Sequence, residues 1–366
     1  MKKIKSVLTM VLALGFIAVF VVWGIAEPDK TESLTERRLL ANFPTLSLET
    51  ISDGSFMTGF EKYMLDHFPL RDSFRTLKAY TVSAVFNQKD NNGLYTAGEH
   101  IAKLDFPEKT ESAEYAASRF EAVYDKYFAG TDSKIYLSVI PDKNYFLASQ
   151  NGYPDMNYEK LINTLKNGFT HAEYIDITGT LTAGDYYYTD SHWRQECLAD
   201  TAKTLAAGMG VTLTDGYEKK DANCPFYGVY YGQSALVHQP EKLYYLENET
   251  ISGLKAYDYE SSSEIPVYDS EAASGRDPYE MFLGGAKSVI TVENPKASEK
   301  RELVIFRDSF TSSIAPLLAE GYSKITLVDI RYISVANIGK IVDFTSDCDV
   351  LFLYSTSVIN NSETIK

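Results

Sequence analysis

Cysteine, histidine and tryptophan are scarce in this chain of 366 residues, which contains three Cys, five His and two Trp. Cys197, Cys224 and Cys348 are far apart and form no Cys-x-x-Cys pair, so the sequence indicates neither a zinc site nor a disulfide framework. One disulfide could still form, but buried free thiols are the favoured interpretation. The histidines show no His-x-x-x-His spacing, and neither a metal nor another cofactor is predicted.

Positive charge is also in short supply. The chain has 35 Lys and Arg against 50 Asp and Glu, which gives a formal net charge of -15 and an isoelectric point near 4.9. Such a surface repels a phosphate backbone, so the sequence excludes nucleic acid as an expected partner. An anionic polymer could bind only where the surface is locally basic.

Long apolar runs are limited to one, at residues 6–26, which follows Lys2, Lys3 and Lys5. Its 21 residues match the ~20 that a helix needs to cross a bilayer. Residues 1–26 are therefore predicted to be a transmembrane anchor, which we favour over a cleaved signal segment ending near Gly24-Ile25-Ala26. In both cases the basic residues stay in the cytoplasm and the rest of the chain is exported, as a single-pass membrane protein or as a secreted one.

The remaining chain is predicted to form a polar tether at 27–54 and an extracytoplasmic α/β domain at 55–366, with a β-rich insertion at 215–300. Continuous apolar runs at 302–306, 324–330 and 349–354 alternate with helical patterns at 312–320 and 334–341. Strands of this kind indicate a doubly wound parallel sheet with helices on both faces. Upstream, the patterns predict helices at 55–86 (broken at 66–71), 113–128, 156–168 and 195–208, and strands at 134–140 and 172–177.

Ligands of a doubly wound sheet bind beyond the carboxyl ends of its strands, and this rule selects Asp308-Ser309 and Arg331. Ser309 would lie between a strand and a helix, with backbone N–H groups nearby that could bind an oxyanion. A serine hydroxyl needs an adjacent base to act as a nucleophile. The alternative is that Ser309 only caps the helix.

Asp190-Ser191-His192 could supply that base. Residues two apart in an extended segment project to the same side, so the Asp190 carboxylate could reach the His192 imidazole, as in a Ser-His-Asp triad. Only His192 among the histidines has an acidic residue two positions before it and an aromatic residue directly after it. Two alternatives stay open: a surface histidine beside a turn-forming aspartate, and a metal site that also uses Asp308.

The segment Tyr188-Thr189-Asp190-Ser191-His192-Trp193 resembles the signature of DHHW-type proteins, which is Asp, a variable or His residue, then His-Trp. It is also similar to the Asp-Thr-His-Trp motif of SGNH-hydrolase-like alginate O-acetylation proteins. Residues 304–310, which end in Asp308-Ser309-Phe310, are similar to the block that carries the serine nucleophile there. Further likenesses, in the family's order within residues 34–355, are Phe43-Pro44, 66–71, 139–143, 282–285 and 328–332.

The resemblance implies an SGNH-hydrolase-like fold and a catalytic triad of Asp190, His192 and Ser309. Arg331 matches an arginine that lies near the site in the alginate proteins, where it would help to place the acyl group or substrate. The first candidate for an oxyanion donor is the backbone N–H of Ser309.

The second candidate for an oxyanion donor is the Gly284-Gly285 region. Many relatives have Asn after this pair, whereas this chain has Ala286, which leaves the side-chain donor unassigned. Lys143 is a further substrate-site candidate, with a solvated loop residue as the alternative. Trp193 is either a sugar platform or, as we favour, a residue packed behind the histidine.

The resemblance finally implies an O-acyltransferase that places acetyl groups on a cell-envelope polysaccharide through an acyl-serine intermediate. A polytopic membrane acyltransferase would deliver the acyl groups across the bilayer. Two alternatives stay open: an esterase or deacetylase that uses the same triad with water, and a catalytically inactive envelope-binding scaffold, which the Ala286 departure motivates.

Overall fold

The computed structural model describes residues 2–213, 216–344 and 347–366, and the chain divides into two compact units. The N-terminal unit comprises the residues up to Asn92 together with Tyr231–His238, and the second unit comprises Gly93–Tyr230 and Gln239–Lys366. The predicted tether (27–54), domain (55–366) and insertion (215–300) have other boundaries than these two units, and they stay predictions.

The N-terminal unit is largely helical. Its elements are α1 (Lys2–Ala26), β1 (Glu32–Ser33), β2 (Arg38–Leu39), α2 (Leu48–Ser52), α3 (Ser55–Asp66) and α4 (Arg71–Tyr80), which a π-helical turn at Thr81–Val85 continues. Within α1, residues Ile4–Ala26 are long and apolar enough to cross a membrane. The predicted helix break at 66–71 is confirmed, because Pro69 follows the end of α3 and Leu70 adopts a positive φ of 59° before α4 begins.

A network of ion pairs joins the segment before α2 to the α3–α4 turn. The Asp66 carboxylate accepts hydrogen bonds from the Arg38 guanidinium and, at 2.9 Å, from the Ala41 N–H. Arg71 donates to Glu36 at 2.6 Å, and Arg75 lies 3.1 Å from the same carboxylate. Part of the predicted tether is therefore held against two helices of its own unit.

The second unit contains the α/β sheet. Its strands are β3 (Leu94–Ala97), β4 (His100–Lys103), β5 (Lys134–Ile140), β6 (Glu173–Tyr174), β7 (Glu218–Phe226), β8 (Glu241–Glu247), β9 (Lys255–Asp258), β10 (Ser263–Ile265), β11 (Val289–Glu293), β12 (Glu302–Arg307), β13 (Lys324–Val328) and β14 (Asp349–Ser355). The helices from here to the C-terminus are α5 (Thr110–Tyr127), α6 (Asn144–Leu147), α7 (Tyr158–Gly168), α8 (Ala199–Gly208), α9 (Val229–Ser234), α10 (Thr311–Leu318), α11 (Val335–Ile338) and α12 (Thr356–Asn360).

The main sheet has the strand order β10-β9-β11-β13-β12-β14-β5-β6. Pairing is parallel from β13 to β6 and antiparallel from β10 to β13. The parallel sheet predicted from the C-terminal apolar runs is therefore confirmed. The three antiparallel strands come from residues 255–293, which add to this sheet, while β7 and β8 form a separate hairpin with a bulge.

Helices cover both faces of the sheet, as a doubly wound fold requires. Leu303 and Ile305 of β12 belong to one buried cluster with residues of α8 and α10, whereas Val304 and Phe306 belong to a second cluster with residues of α5, α7, α11 and α12. Successive residues of a central strand thus belong alternately to the two clusters. Because both faces of the strand are buried, the strand is apolar throughout. The carboxyl ends of the parallel central strands thus lie on the same side of the sheet. Candidate site residues such as Ser309 and Arg331 come directly after these strand ends.

Two predicted elements are shorter than expected. The strand expected at 172–177 retains only the two residues of β6, and the helix expected at 334–341 contains only the four residues of α11. The three cysteines are free thiols, and burial raises the pKa of Cys197 to about 12 and that of Cys348 to about 11.

Candidate active site

A short loop presents Asp190 and His192. The backbones of Tyr186 and Trp193 pair as an antiparallel bridge, and the Tyr187 N–H donates to the His192 carbonyl at 3.1 Å. This closure leaves residues 188–191 at the tip of the loop. The Glu241 carboxylate at the start of β8 accepts from the backbone N–H groups of Tyr188 and Thr189, at 2.8 and 3.0 Å. The loop backbone is consequently held both by the Tyr186–Trp193 bridge and by the Glu241 side chain.

The three side chains named by the sequence form one continuous chain of contacts. Asp190 Oδ1 lies 2.6 Å from His192 Nδ1, and His192 Nε2 lies 2.8 Å from Ser309 Oγ. Both distances are within hydrogen-bond reach for a nucleophile, a base and the group that orients the base. This order of contacts can carry a proton from the serine hydroxyl to the imidazole while the carboxylate stabilises the imidazolium.

The Asp190 carboxylate is fully buried and has more than one donor. Its Oδ2 accepts from the Val229 N–H at 2.8 Å, and its Oδ1 accepts from the His192 N–H at 3.1 Å as well as from the ring. A carboxylate bound by several donors is held in one orientation. Val229 is the first residue of α9 and falls within residues 215–300, where the sequence shows no clear periodic pattern.

Ser309 lies directly beyond the carboxyl end of β12. Asp308 fixes this turn, since its carboxylate accepts from the Phe310 N–H at 3.1 Å and from the Ser355 N–H, at the end of the neighbouring strand β14, at 2.7 Å. The helix cap before α10 is Phe310, without a side-chain cap bond, so the Ser309 hydroxyl does not serve the N-cap role that was the alternative. Its hydroxyl is instead half-buried and directed at His192.

Aromatic rings enclose the His192 imidazole. The Tyr279 ring stacks on it with a centroid distance of 3.9 Å and an interplanar angle of 12°, and the Phe310 ring approaches at 4.8 Å. The Tyr279 hydroxyl donates to Ser313 Oγ at 2.8 Å, and Ser313 lies in α10. Tyr279 is the main site residue that the sequence analysis missed. The chain has 27 tyrosines, and nothing in the local sequence distinguishes Tyr279 from the others.

Trp193 and Lys143 are both buried, and their contacts are with the site's framework. The Trp193 indole N–H donates to the Phe310 carbonyl at 3.0 Å and to Ser313 Oγ at 2.9 Å, so it ties the loop to α10. The Lys143 amine donates to the carbonyls of Tyr187 and Tyr188, both at 3.0 Å. Burial lowers the pKa of Lys143 to about 7, although nearby carboxylates oppose that shift.

Arg331 follows the carboxyl end of β13, and the Gly284-Gly285 pair precedes the start of β11, which pairs with that end of β13. The Arg331 guanidinium forms a forked pair with Asp329, at 2.9 and 2.6 Å, and the partner's charge outweighs burial and raises the pKa of Arg331. Both glycines have positive φ values, 68° and 74°, and the Gly285 carbonyl lies 3.4 Å from the buried Arg307 guanidinium. Within the described ranges, no hydrogen bond joins any of the three directly to Ser309.

The candidate site contains the groups that nucleophilic acyl transfer requires. Over residues 2–213, 216–344 and 347–366, no group of three or more His, Cys, Asp and Glu side chains could hold a metal ion. What the site does contain is a hydroxyl, a base, an orienting carboxylate and the N-terminal end of α10. These are the parts that nucleophilic catalysis on an ester requires.

Comparison with known proteins gives matches at the level of structure. No protein-family model and no curated protein sequence matches the chain. A DHHW family protein from Eubacterium siraeum superposes with a TM-score of 0.61 at 21% sequence identity, covering 75% of this chain and 95% of that chain. Bacillus cereus PatB1, solved with a sulfonyl adduct, superposes with a TM-score of 0.57 at 18% identity, covering 73% and 95%. The chain thus has the fold of a DHHW family protein, which confirms at the level of fold the resemblance seen in its Asp190–Trp193 segment.

Proposed function

We propose that this chain is an extracytoplasmic serine O-acyltransferase that transfers acetyl groups to a hydroxyl of a cell-envelope polysaccharide. The observation that carries the proposal is the unbroken hydrogen-bond chain from Asp190 through His192 to Ser309. The likeness of residues 188–193 and 304–310 to alginate O-acetylation proteins supports acetyl transfer as the chemistry.

In the first half-reaction, Ser309 Oγ attacks the carbonyl carbon of an acetyl donor while His192 Nε2 takes the hydroxyl proton. Asp190 stabilises the imidazolium that forms. The tetrahedral oxyanion would bind the Ser309 backbone N–H, and each such donor contributes about 3–4 kcal/mol to transition-state stabilisation. The carbonyl re-forms, the leaving group departs with the proton from His192, and an acetyl ester remains on Ser309.

In the second half-reaction, a sugar hydroxyl attacks the acetyl-serine ester. His192 removes the proton of that hydroxyl and then returns a proton to Ser309 Oγ as it leaves. The products are an O-acetylated polysaccharide and free enzyme. Water in place of the sugar would give an esterase or deacetylase, since only the acceptor differs.

Supporting roles are proposed for the remaining candidates. Lys143 would position the loop that carries Asp190 and His192, because its amine holds two carbonyls of that loop. Arg331 would help to place the acyl group or the acceptor from the adjacent strand end, and the Gly284-Gly285 turn is the second candidate for an oxyanion donor. Trp193 would hold the loop on α10.

The location proposed for this chemistry is the outer face of the cell membrane. Residues Ile4–Ala26 would remain as a single-pass anchor, with the preceding lysines in the cytoplasm. A polytopic membrane acyltransferase would supply acetyl groups from the cytoplasmic side.

The experiment that tests the proposal follows acetyl-ester turnover by the purified chain, with and without a cell-envelope oligosaccharide. We expect faster turnover with the oligosaccharide, an acetylated sugar by mass spectrometry, and covalent labelling of Ser309 by a sulfonyl fluoride. Ser309→Ala should lower turnover at least about a thousandfold and abolish labelling. Ser118→Ala, at an exposed position of α5 far from the triad in sequence, is the matched control and should retain both.

Other outcomes would assign the alternatives. Turnover that is unaffected by every sugar offered, with free acetate as the only product, would identify an esterase. Absence of labelling, together with unchanged polysaccharide acetylation in cells that carry Ser309→Ala, would identify an inactive scaffold and overturn the proposal.

A further inference from the structure

An apolar surface on α3 and α4 stays largely exposed within the part of the chain that the structure describes. Phe74 and Leu77 of α4 are 42% and 61% exposed, whereas Ala79, on the opposite side of the helix, is buried. At 100° per residue, Phe74 and Leu77 lie about 60° apart on one face, whereas Arg75 lies about 160° from Leu77 on the other side of the helix. The helix thus exposes two large apolar side chains of the kind that an ordinary surface helix buries.

The exposed side of α3 continues this surface. Met57, Met64 and Leu65 are 64%, 40% and 62% exposed, and their positions at spacings of seven and eight place them on one helix face. Phe68, 39% exposed, follows at the same face in the α3–α4 turn. Exposed Glu61 also lies on this face, four residues from both Met57 and Leu65. A cluster of large exposed apolar side chains of this kind is typical of an interaction site.

Contacts with α1 indicate how deep in a membrane this surface would lie if α1 crosses it. The Phe20 ring stacks on Phe68 with a centroid distance of 5.3 Å and an angle of 8°, and it also contacts Phe74 at 5.9 Å. Pro69 packs against Gly24, where an added Cβ would lie 3.6 Å from the proline ring. Phe20 precedes the end of the apolar helix by six residues, which is about 9 Å along its axis at 1.5 Å per residue.

We propose that the exposed face of α3 and α4 lies in the outer interface of the bilayer that α1 crosses, with Phe68, Phe74 and Leu77 in the acyl-chain region. This inference rests on the proposed retention of α1 as an anchor. Lipid is the occupant because residues that touch Phe20 share its depth, and Phe20 lies within the hydrocarbon-spanning run.

The charged side chains next to this face are paired, which fits a position at the bilayer interface. Glu36 is only 12% exposed in its side chain and is paired with Arg71 and Arg75, and Asp66 is 9% exposed and paired with Arg38. Charged groups close to hydrocarbon are tolerated when they are paired and hydrogen-bonded. These paired groups can therefore lie next to the interface without leaving an unpaired charge among them.

The test uses tryptophan fluorescence of the full chain in phosphatidylcholine vesicles whose acyl chains carry bromine, which quenches indole on contact. A Trp23→Phe background retains only Trp193, which is fully buried and supplies an unquenched baseline. Phe74→Trp and, as a second reporter, Leu77→Trp are added to that background. Tyr259→Trp, on an exposed position of the second unit, is the matched control.

We expect bromine near the head group to remove most of the added emission from both reporters, with weaker quenching from bromine near the chain ends and none for Tyr259→Trp. Quenching of Trp23 in the unmodified chain shows separately that α1 is inserted. Reporters that match the Tyr259→Trp control while Trp23 is quenched would overturn the proposal and would assign the face to a protein partner. Loss of residues 1–26 from cell-derived protein, read by intact mass, would instead refute the retained anchor.

Discussion

The His192 ring is held by a different kind of contact at each edge and on its face. Its Nδ1 contacts a buried carboxylate, its Nε2 contacts the Ser309 hydroxyl, and its face stacks on Tyr279. Hydrogen bonds at the two nitrogens fix the ring's position along one line, and the stacked tyrosine limits its rotation about that line. Orientation within a narrow range is what makes general-base catalysis efficient.

The stacking contact predicts a difference between two substitutions of Tyr279. Tyr279→Leu removes the ring that limits His192 rotation, and we expect kcat to fall about tenfold or more, since small misplacements of a catalytic group are costly. Tyr279→Phe keeps the stack and removes only the hydroxyl bond to Ser313, so it should cost about 1 kcal/mol of stability with little change in kcat. Ester-turnover kinetics and thermal unfolding of both variants make the measurement; equal kcat values would show that the stack has no orienting role.

Individual site residues were predictable only where a local pattern existed. The rule that ligands bind beyond strand ends selected Ser309, and the Asp-x-His spacing selected Asp190 and His192. The Val229 N–H and the Tyr279 ring reach the site from a region of the sequence without periodicity. Backbone donors and packing partners of this kind carry no type or spacing signal, so only the folded chain reveals them.

At the scale of elements, side chains from two different segments hold the backbone of residues 187–190 by hydrogen bonds. Lys143 donates to two of its carbonyls, and Glu241 accepts from two of its N–H groups. Gly228 closes a third side, where its N–H donates to Thr189 Oγ1 at 2.8 Å. The position of the proposed base therefore depends on three segments that are far apart in the sequence.

The close approach of Gly228 predicts a large effect for a single methyl group. A Cβ at this position would lie 2.1 Å from the Thr189 carbonyl oxygen and 2.4 Å from the Asp190 N, both backbone atoms. Gly228→Ala should displace the loop, lowering ester turnover by about tenfold or more and stability by about 1–3 kcal/mol. Gly179→Ala, where a Cβ meets nothing within 4 Å, is the control and should leave turnover unchanged. If both variants behave alike, the loop does not depend on this contact.

Burial of Lys143 predicts a pH dependence of stability. Its pKa of about 7 in the folded chain lies below the value of about 10.4 for an exposed lysine, so between these values the unfolded chain holds a proton that the folded chain has released. The contribution of Lys143 to the free energy of unfolding therefore rises with pH in this window, by at most about 1.4 kcal/mol per pH unit, and is lowest below about pH 7.

Denaturant unfolding at several pH values tests this dependence. The stability difference between the unmodified chain and Lys143→Met should increase from pH 7 to pH 10. Lys160→Met, on the surface, is the control for general effects of removing a lysine. A difference that stays flat, or declines as pH rises, would show that the buried amine keeps its proton in the folded state.

Most long elements were readable from apolar patterns, and the short ones were not. The strands β5, β12, β13 and β14 are buried on both faces, and such burial produces the continuous runs that predict them. The edge strand β10 and its neighbour β9 lie in residues 215–300, where polar and aromatic residues interrupt any period. The sequence therefore predicts the centre of the sheet, and it does not predict that its far edge is antiparallel.

At the scale of the whole molecule, the excess of negative charge bears on the acceptor. A chain with a net charge of -15 repels anionic polymers at long range, and the Debye length of about 10 Å at 0.1 M salt limits that repulsion at moderate ionic strength. Repulsion lowers the rate of encounter between enzyme and an anionic acceptor, and a neutral acceptor does not experience it. Salt should therefore distinguish the two classes of polysaccharide.

We predict that raising the salt concentration from about 0.01 to 0.15 M lowers KM severalfold for an anionic oligosaccharide acceptor, because the Debye length shortens from about 30 to about 8 Å. KM for a neutral oligosaccharide of the same length should change little, and kcat should change little for both, since the charges that act at long range do not touch the reacting atoms. Acetyl transfer to matched neutral and uronic acid oligomers across this salt range makes the comparison. A KM for the anionic oligomer that rises with salt would reveal an attractive basic surface at the acceptor site, and Arg331, beside the proposed nucleophile's strand, would then be the first residue to replace.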